Sequence, residues 1–214
     1  MFIGHFGAAM GAKKIDSRIS LGTLILASQF IDLLWPVLIL LGIEKVKIEP
    51  GNTPVSPLNF VSYPYSHSLL AVVVWGALFA LVYFLLKKEI KGALLLGALV
   101  ISHWILDFIS HAPDLLIIPG LNLKVGLGLW YSLPLTIIVE GGIFAAGIYF
   151  FVKASGKRDS KFGIRFWSLV IFLSIIYLSN LFGPPPPSVE DMAYATLALW
   201  IFVLWGYWID RVKN

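Results

Sequence analysis

Four histidines and a few carboxylates carry most of the chemistry available to this chain: His5, His67, His103 and His111, with Asp32, Asp107, Asp114 and Glu140. His103, Asp107 and His111 are spaced i, i+4 and i+8, so a helix through them places all three on one stripe. A divalent metal wants imidazole nitrogens and carboxylate oxygens converging from several elements. His103 and Asp107 can hold one ion together, with His67, Asp32 and Glu140 arriving from neighbouring helices. Carboxylates that do not ligate can orient imidazoles or activate water. Ser110 adds a hydroxyl to the stripe, and Asp114 follows just past its end. Zinc is the first expectation because imidazole suits it, and manganese the second because carboxylates are plentiful. The plainer readings stand beside these: His103 next to Trp104 as a core histidine, His67 as an interfacial residue, His111 favoured by a helix C-terminus, and Asp114 as a turn cap.

The surroundings of these residues are apolar. Of the 214 residues 58% are hydrophobic and 13% charged, and the mean hydropathy is +0.86. A soluble domain carries about 25% charged residues. Long unbroken apolar runs without alternation predict an all-α, polytopic integral membrane bundle in a single domain, 1–214, and not a barrel. The absence of cysteine excludes thiolate ligands and thiol catalysis. The net charge of +4 is read as membrane-flanking lysine and arginine, not as a nucleic-acid surface. A cleavable signal peptide is not expected, because Lys13 and Lys14 follow the first apolar stretch.

About six spans are expected: Ile19–Gly42 with a kink at Pro36, Ser66–Leu86 with His67 in its first turn, Gly92–Ser110, Leu129–Val152, Phe166–Phe182 and Met192–Ile209. The tetraproline Pro184–Pro187 reads as a stiff connector. Six spans put thirteen lysines and arginines on one side and Lys45, Lys47 and Lys124 on the other. The positive-inside rule then predicts that both termini are cytoplasmic. At 1.5 Å per residue, Asp32 and Asp107 lie roughly 20 Å from the basic ends of their spans, so they can meet. His5 does not fit easily. It lies in the short apolar segment Met1–Ala12, which starts on the basic side and must re-enter deeply to reach the others.

As a set, these motifs resemble the YdjM/YbcI-like membrane-bound metal-dependent hydrolase family. The resemblance is carried by His5 in Gly4-His5-Phe6-Gly7, Asp32 in Phe30-Ile31-Asp32-Leu33, His67 in Tyr65-Ser66-His67-Ser68, and His103 with Asp107 in Ser102-His103-Trp104-Ile105-Leu106-Asp107. It spans about residues 1–150. The first Asp motif departs from the commoner form, which has Pro-Asp and a second Asp or His. The resemblance implies metal-dependent hydrolysis and adds His5 to the ligand set.

Together these readings point to a multi-pass cell-membrane protein, in the inner membrane if the source has two. It is expected to hydrolyse a phosphoester or other ester of a lipid-like substrate. The expected metal ligands are His5, His67, His103 and Asp107, with Asp32 and Glu140 catalytic and His111 and Asp114 binding substrate. A metal- or proton-coupled transporter and a scaffold with a structural ion use the same residues and remain alternatives.

Overall fold

The computed structural model describes residues 1–156 and 159–211. Nine α-helices build the bundle among these residues: α1 Ile3–Ala12, α2 Leu21–Ser28, α3 Phe30–Leu40, α4 Leu69–Lys87, α5 Ile90–Ser110, α6 Leu133–Ser155, α7 Ser160–Phe182, α8 Val189–Leu197 and α9 Leu199–Asp210. α4, α5, α6, α7 and the α8–α9 pair are long and apolar enough to cross a membrane. α2 and α3 make a sixth candidate span, broken by a 52° bend. The protein is therefore an all-α bundle of five to six apolar helices, consistent with a polytopic membrane protein. Lys157, Arg158 and Lys213, which enter the basic count, lie outside the described residues.

Side chains at the helix starts fix where the spans begin. Ser68 accepts the Ala71 N–H ahead of α4, Glu89 accepts Gly92 N–H at 2.6 Å ahead of α5, and Asp159 accepts Phe162 N–H at 2.8 Å ahead of α7. α4 and α5 form a tight antiparallel pair, turning at Lys88 in left-handed backbone. They cross where a Cβ on Gly76 would lie 2.9 Å from the Gly97 carbonyl, so only glycine permits the approach.

α1 is the element that the sequence places least securely, and it is buried in the bundle. It packs along α6, with Gly7 set so close that a Cβ there would meet the Ile143 carbonyl at 2.6 Å. Its first turn reaches Asp107, in the last turn of α5. Its far end is tied down at the basic end of the bundle, where Lys13 Nζ donates to Ile19 O at 2.7 Å and pairs with Asp210 at 3.2 Å. The re-entry that His5 requires is thus made by a ten-residue helix.

Several boundaries differ from expectation. The first span breaks at Gln29, seven residues before Pro36, which lies inside α3. His67 precedes α4 instead of occupying its first turn, because Ser68 takes the cap and the His67 N–H closes a turn onto Tyr63 O. Leu129–Tyr131 is a 3-10 turn, so the fourth span starts at Leu133. The connections opposite the basic end hold two small antiparallel hairpins: β1 Lys45–Ile48 with β2 Leu58–Ser62, and β3 Leu115–Leu116 with β4 Lys124–Val125. The hairpins and the 3-10 turn carry Phe60 and Trp130 against the ring of His111, with centroids 4.8 and 4.2 Å away.

Candidate metal centre

Asp107 is the hub of the polar cluster and lies on the buried face of α5. His5 Nε2 lies 3.1 Å from Asp107 Oδ1, with His111 Nε2 3.8 Å from the same oxygen. His103 Nε2 lies 3.1 Å from Oδ2, and His67 Nε2 is 3.8 Å from it. Asp32 Oδ1, brought in by α3, stands 3.5 Å from His103 Nε2 and 3.6 Å from His67 Nε2. Two triads, His5–His103–Asp107 and Asp32–His67–His103, each offer three ligand atoms mutually within 4.8 Å. The cluster is thus able to coordinate a metal ion.

The hydrogen bonds behind the histidines decide which nitrogen faces inward. His103 Nδ1 is 2.7 Å from the Ser28 carbonyl, which can only accept, so Nδ1 carries a proton and Nε2 is the nitrogen turned toward the carboxylates. His103 Nε2 has no partner in hydrogen-bonding geometry, although Asp107 is near. It faces the space between Asp107 and Asp32, 3.1 and 3.5 Å from their oxygens. Ser66 Oγ donates to Glu44 Oε2 at 2.6 Å, so it must accept the His67 Nδ1 proton at 2.7 Å. Glu44 also accepts the Tyr65 and Ser66 N–H groups. His111 Nδ1 is 3.1 Å from Asp114 Oδ1, which takes a second bond from the Tyr63 hydroxyl at 2.5 Å. Three of the four histidines are thus held by Nδ1 and present Nε2 to the centre, the arrangement that metal-binding histidines adopt.

The donor spacing also fits an ion. Zinc bonds of 2.0–2.1 Å put tetrahedral ligand atoms about 3.3 Å apart. The imidazole–carboxylate separations here run from 3.1 to 3.8 Å. The site is closed on nearly every side: Asp107 and the four histidines expose 4% or less of their side chains, whereas Asp32 exposes 22%.

Every residue expected in the site from the sequence lies in or beside this cluster. His5, Asp32, His67, His103, Asp107 and His111 converge directly. Asp114 stands one bond behind, on His111. Glu140 accepts the Phe2 N–H at 2.9 Å, so it anchors the first turn of α1. The Met1 amino group donates to Asp107 Oδ1 at 2.5 Å and so lies within the same cluster. Glu44, Ser28 and Tyr63 are absent from the sequence reading, and Ser66 enters it only as a neighbour of His67. The Ser66–His67 adjacency was a visible signal; no spacing connects Glu44 or Ser28 to a histidine. Compared with known proteins, the chain matches no family model, no curated protein and no solved structure.

Proposed function

We propose that the protein is a membrane-embedded metal-dependent hydrolase acting on a phosphoester or other ester of a lipid-like substrate, in line with the family it resembles. The observation that carries this reading is the set of tethered imidazoles, each turning Nε2 toward Asp107 and two of them, His67 and His103, also toward Asp32. His5, His67, His103 and Asp107 would hold the ion, with zinc preferred and manganese second. When bound, such an ion lowers the pKa of water and polarises the scissile bond. Asp32 is the most exposed member of the cluster, and it would hold the attacking water and take its proton. His111 and Asp114 would bind the head group of the substrate. Glu140 keeps α1, and with it His5, in position.

One feature favours an enzyme over a transporter. A permeation path needs polar lining, yet between the cluster and the Lys13–Asp210 pair the fully buried side chains include Phe6, Met10, Leu24, Ile25 and Leu96. The test is hydrolysis of amphiphilic phosphoesters and carboxyl esters by the protein in phospholipid vesicles. Chelation should abolish turnover, zinc or manganese should restore it, and His103→Ala should remove it. Turnover that survives chelation, or none on either ester class, would refute the proposal.

A further inference from the structure

Two triads of the cluster share one imidazole. His5, His103 and Asp107 form an inner triad, and Asp32, His67 and His103 an outer one. An imidazole that keeps its Nδ1 proton offers a metal one lone pair, on Nε2. His103 is held through Nδ1 on the Ser28 carbonyl, so it serves one ion at a time. The two triads are therefore alternative positions of a single ion.

The positions differ in access. The side chains of His5, His103 and Asp107 are exposed by 2% or less, whereas in the outer triad Asp32 is exposed by 22%. An arriving hydrated ion meets the Asp32 carboxylate before any ligand of the inner triad. The two positions are also joined. His67 and His103 Nε2 stand 3.6 and 3.5 Å from Asp32 Oδ1, and 3.8 and 3.1 Å from Asp107 Oδ2. The Met1 amino group takes Asp107 Oδ1, which leaves Oδ2, the oxygen these imidazoles face, for an ion. An ion can thus pass from one carboxylate to the other without leaving either imidazole.

We infer that one ion enters the centre on Asp32, His67 and His103 and moves inward to rest on His5 and Asp107, with His67 and His103 bound throughout. This rests on the metal-dependent reading above. The inward move breaks the bond to Asp32 and forms bonds to His5 and Asp107. It leaves the Asp32 carboxylate free for the water which that reading assigns to it. Asp32 governs how fast the ion arrives, and His5 how long it stays.

The experiment follows cobalt(II) binding to the full-length protein in detergent by its visible absorption after rapid mixing. One ion per wild-type chain is expected, taken up in two phases, the first proportional to cobalt concentration and the second independent of it. Asp32→Asn should slow the first phase about tenfold or more, as loss of a steering charge does, without speeding release into a chelator, and Asp32→Glu should restore it. His5→Ala should leave the first phase unchanged and speed release about tenfold or more. A single phase in the wild type would overturn the inward move. Unchanged uptake in Asp32→Asn would remove Asp32 from the entry route, and faster release would make it a ligand of the resting ion; either overturns the inference and leaves the metal-dependent reading standing. No bound cobalt would overturn both. The wild-type traces decide the question even if the variants do not fold.

Discussion

At the residue scale, the cluster's chemistry depends on what stands behind each histidine. The stripe His103–Asp107–His111 was legible because helical periodicity forces residues four apart onto one face. The groups that orient the rings were not, since Glu44 reaches His67 through Ser66 across a loop and Ser28 reaches His103 through its main-chain carbonyl. Neither contact has a periodic signature. Outer-shell partners of this kind are worth about 10–100-fold in metal affinity. Ser66→Ala should weaken metal binding by that order, and Ser66→Thr should restore most of it, as read by competition with a chromophoric chelator. Unchanged affinity in Ser66→Ala would mean that the Glu44–Ser66 chain does not hold the ring. Tyr63 plays the corresponding part for His111. Burial, then the adjacent Asp114 carboxylate, push its phenol well above the ordinary value, so it stays protonated and keeps donating.

At the scale of elements, two departures from regular geometry build the site. In an unbroken helix the Ser28 carbonyl would accept the Asp32 N–H. The break at Gln29 releases that carbonyl to His103 and redirects α3, which carries Asp32. Pro36 was the visible helix-breaking residue in this span, but the chain bends where a tertiary bond replaces a helical one. The second departure is the close approach of α1 to α6 at Gly7. Gly7→Leu should force the helices apart and carry His5 away from Asp107. A destabilisation of about 1–3 kcal/mol is expected from overpacking, measured by thermal unfolding in detergent, together with a loss of bound metal. Retained metal and stability would show that α1 does not need that contact. The hairpins could not be anticipated from pattern, because strands of two to five residues are too short to show alternation.

For the whole molecule, composition and apolar run length were enough to identify a helical membrane bundle, since a hydrocarbon core needs spans of about 20 residues. The fate of the N-terminal segment was not legible, because ten apolar residues are compatible with lying on, dipping into or leaving the bundle. The Lys13–Asp210 pair closes the basic end around α1, α2 and α9, with Asp210 also accepting the Leu21 N–H at 2.5 Å. Removing one partner of a buried pair costs about 3–5 kcal/mol, so Lys13→Met should lower the unfolding temperature, whereas an unchanged transition would show the pair to be dispensable. The basic asymmetry predicts that reporter fusions after Pro119 and at the C-terminus lie on opposite sides of the membrane; fusions on the same side would break the six-span reading. The proposed function requires a metal at Asp107, and elemental analysis addresses that most directly. Wild-type and His103→Ala protein should be purified without chelator or metal-affinity resin, then incubated with zinc or manganese. At least one divalent ion per wild-type chain is expected, with most of it lost in His103→Ala. Wild-type protein holding well under one ion per chain after that incubation would contradict the metal centre.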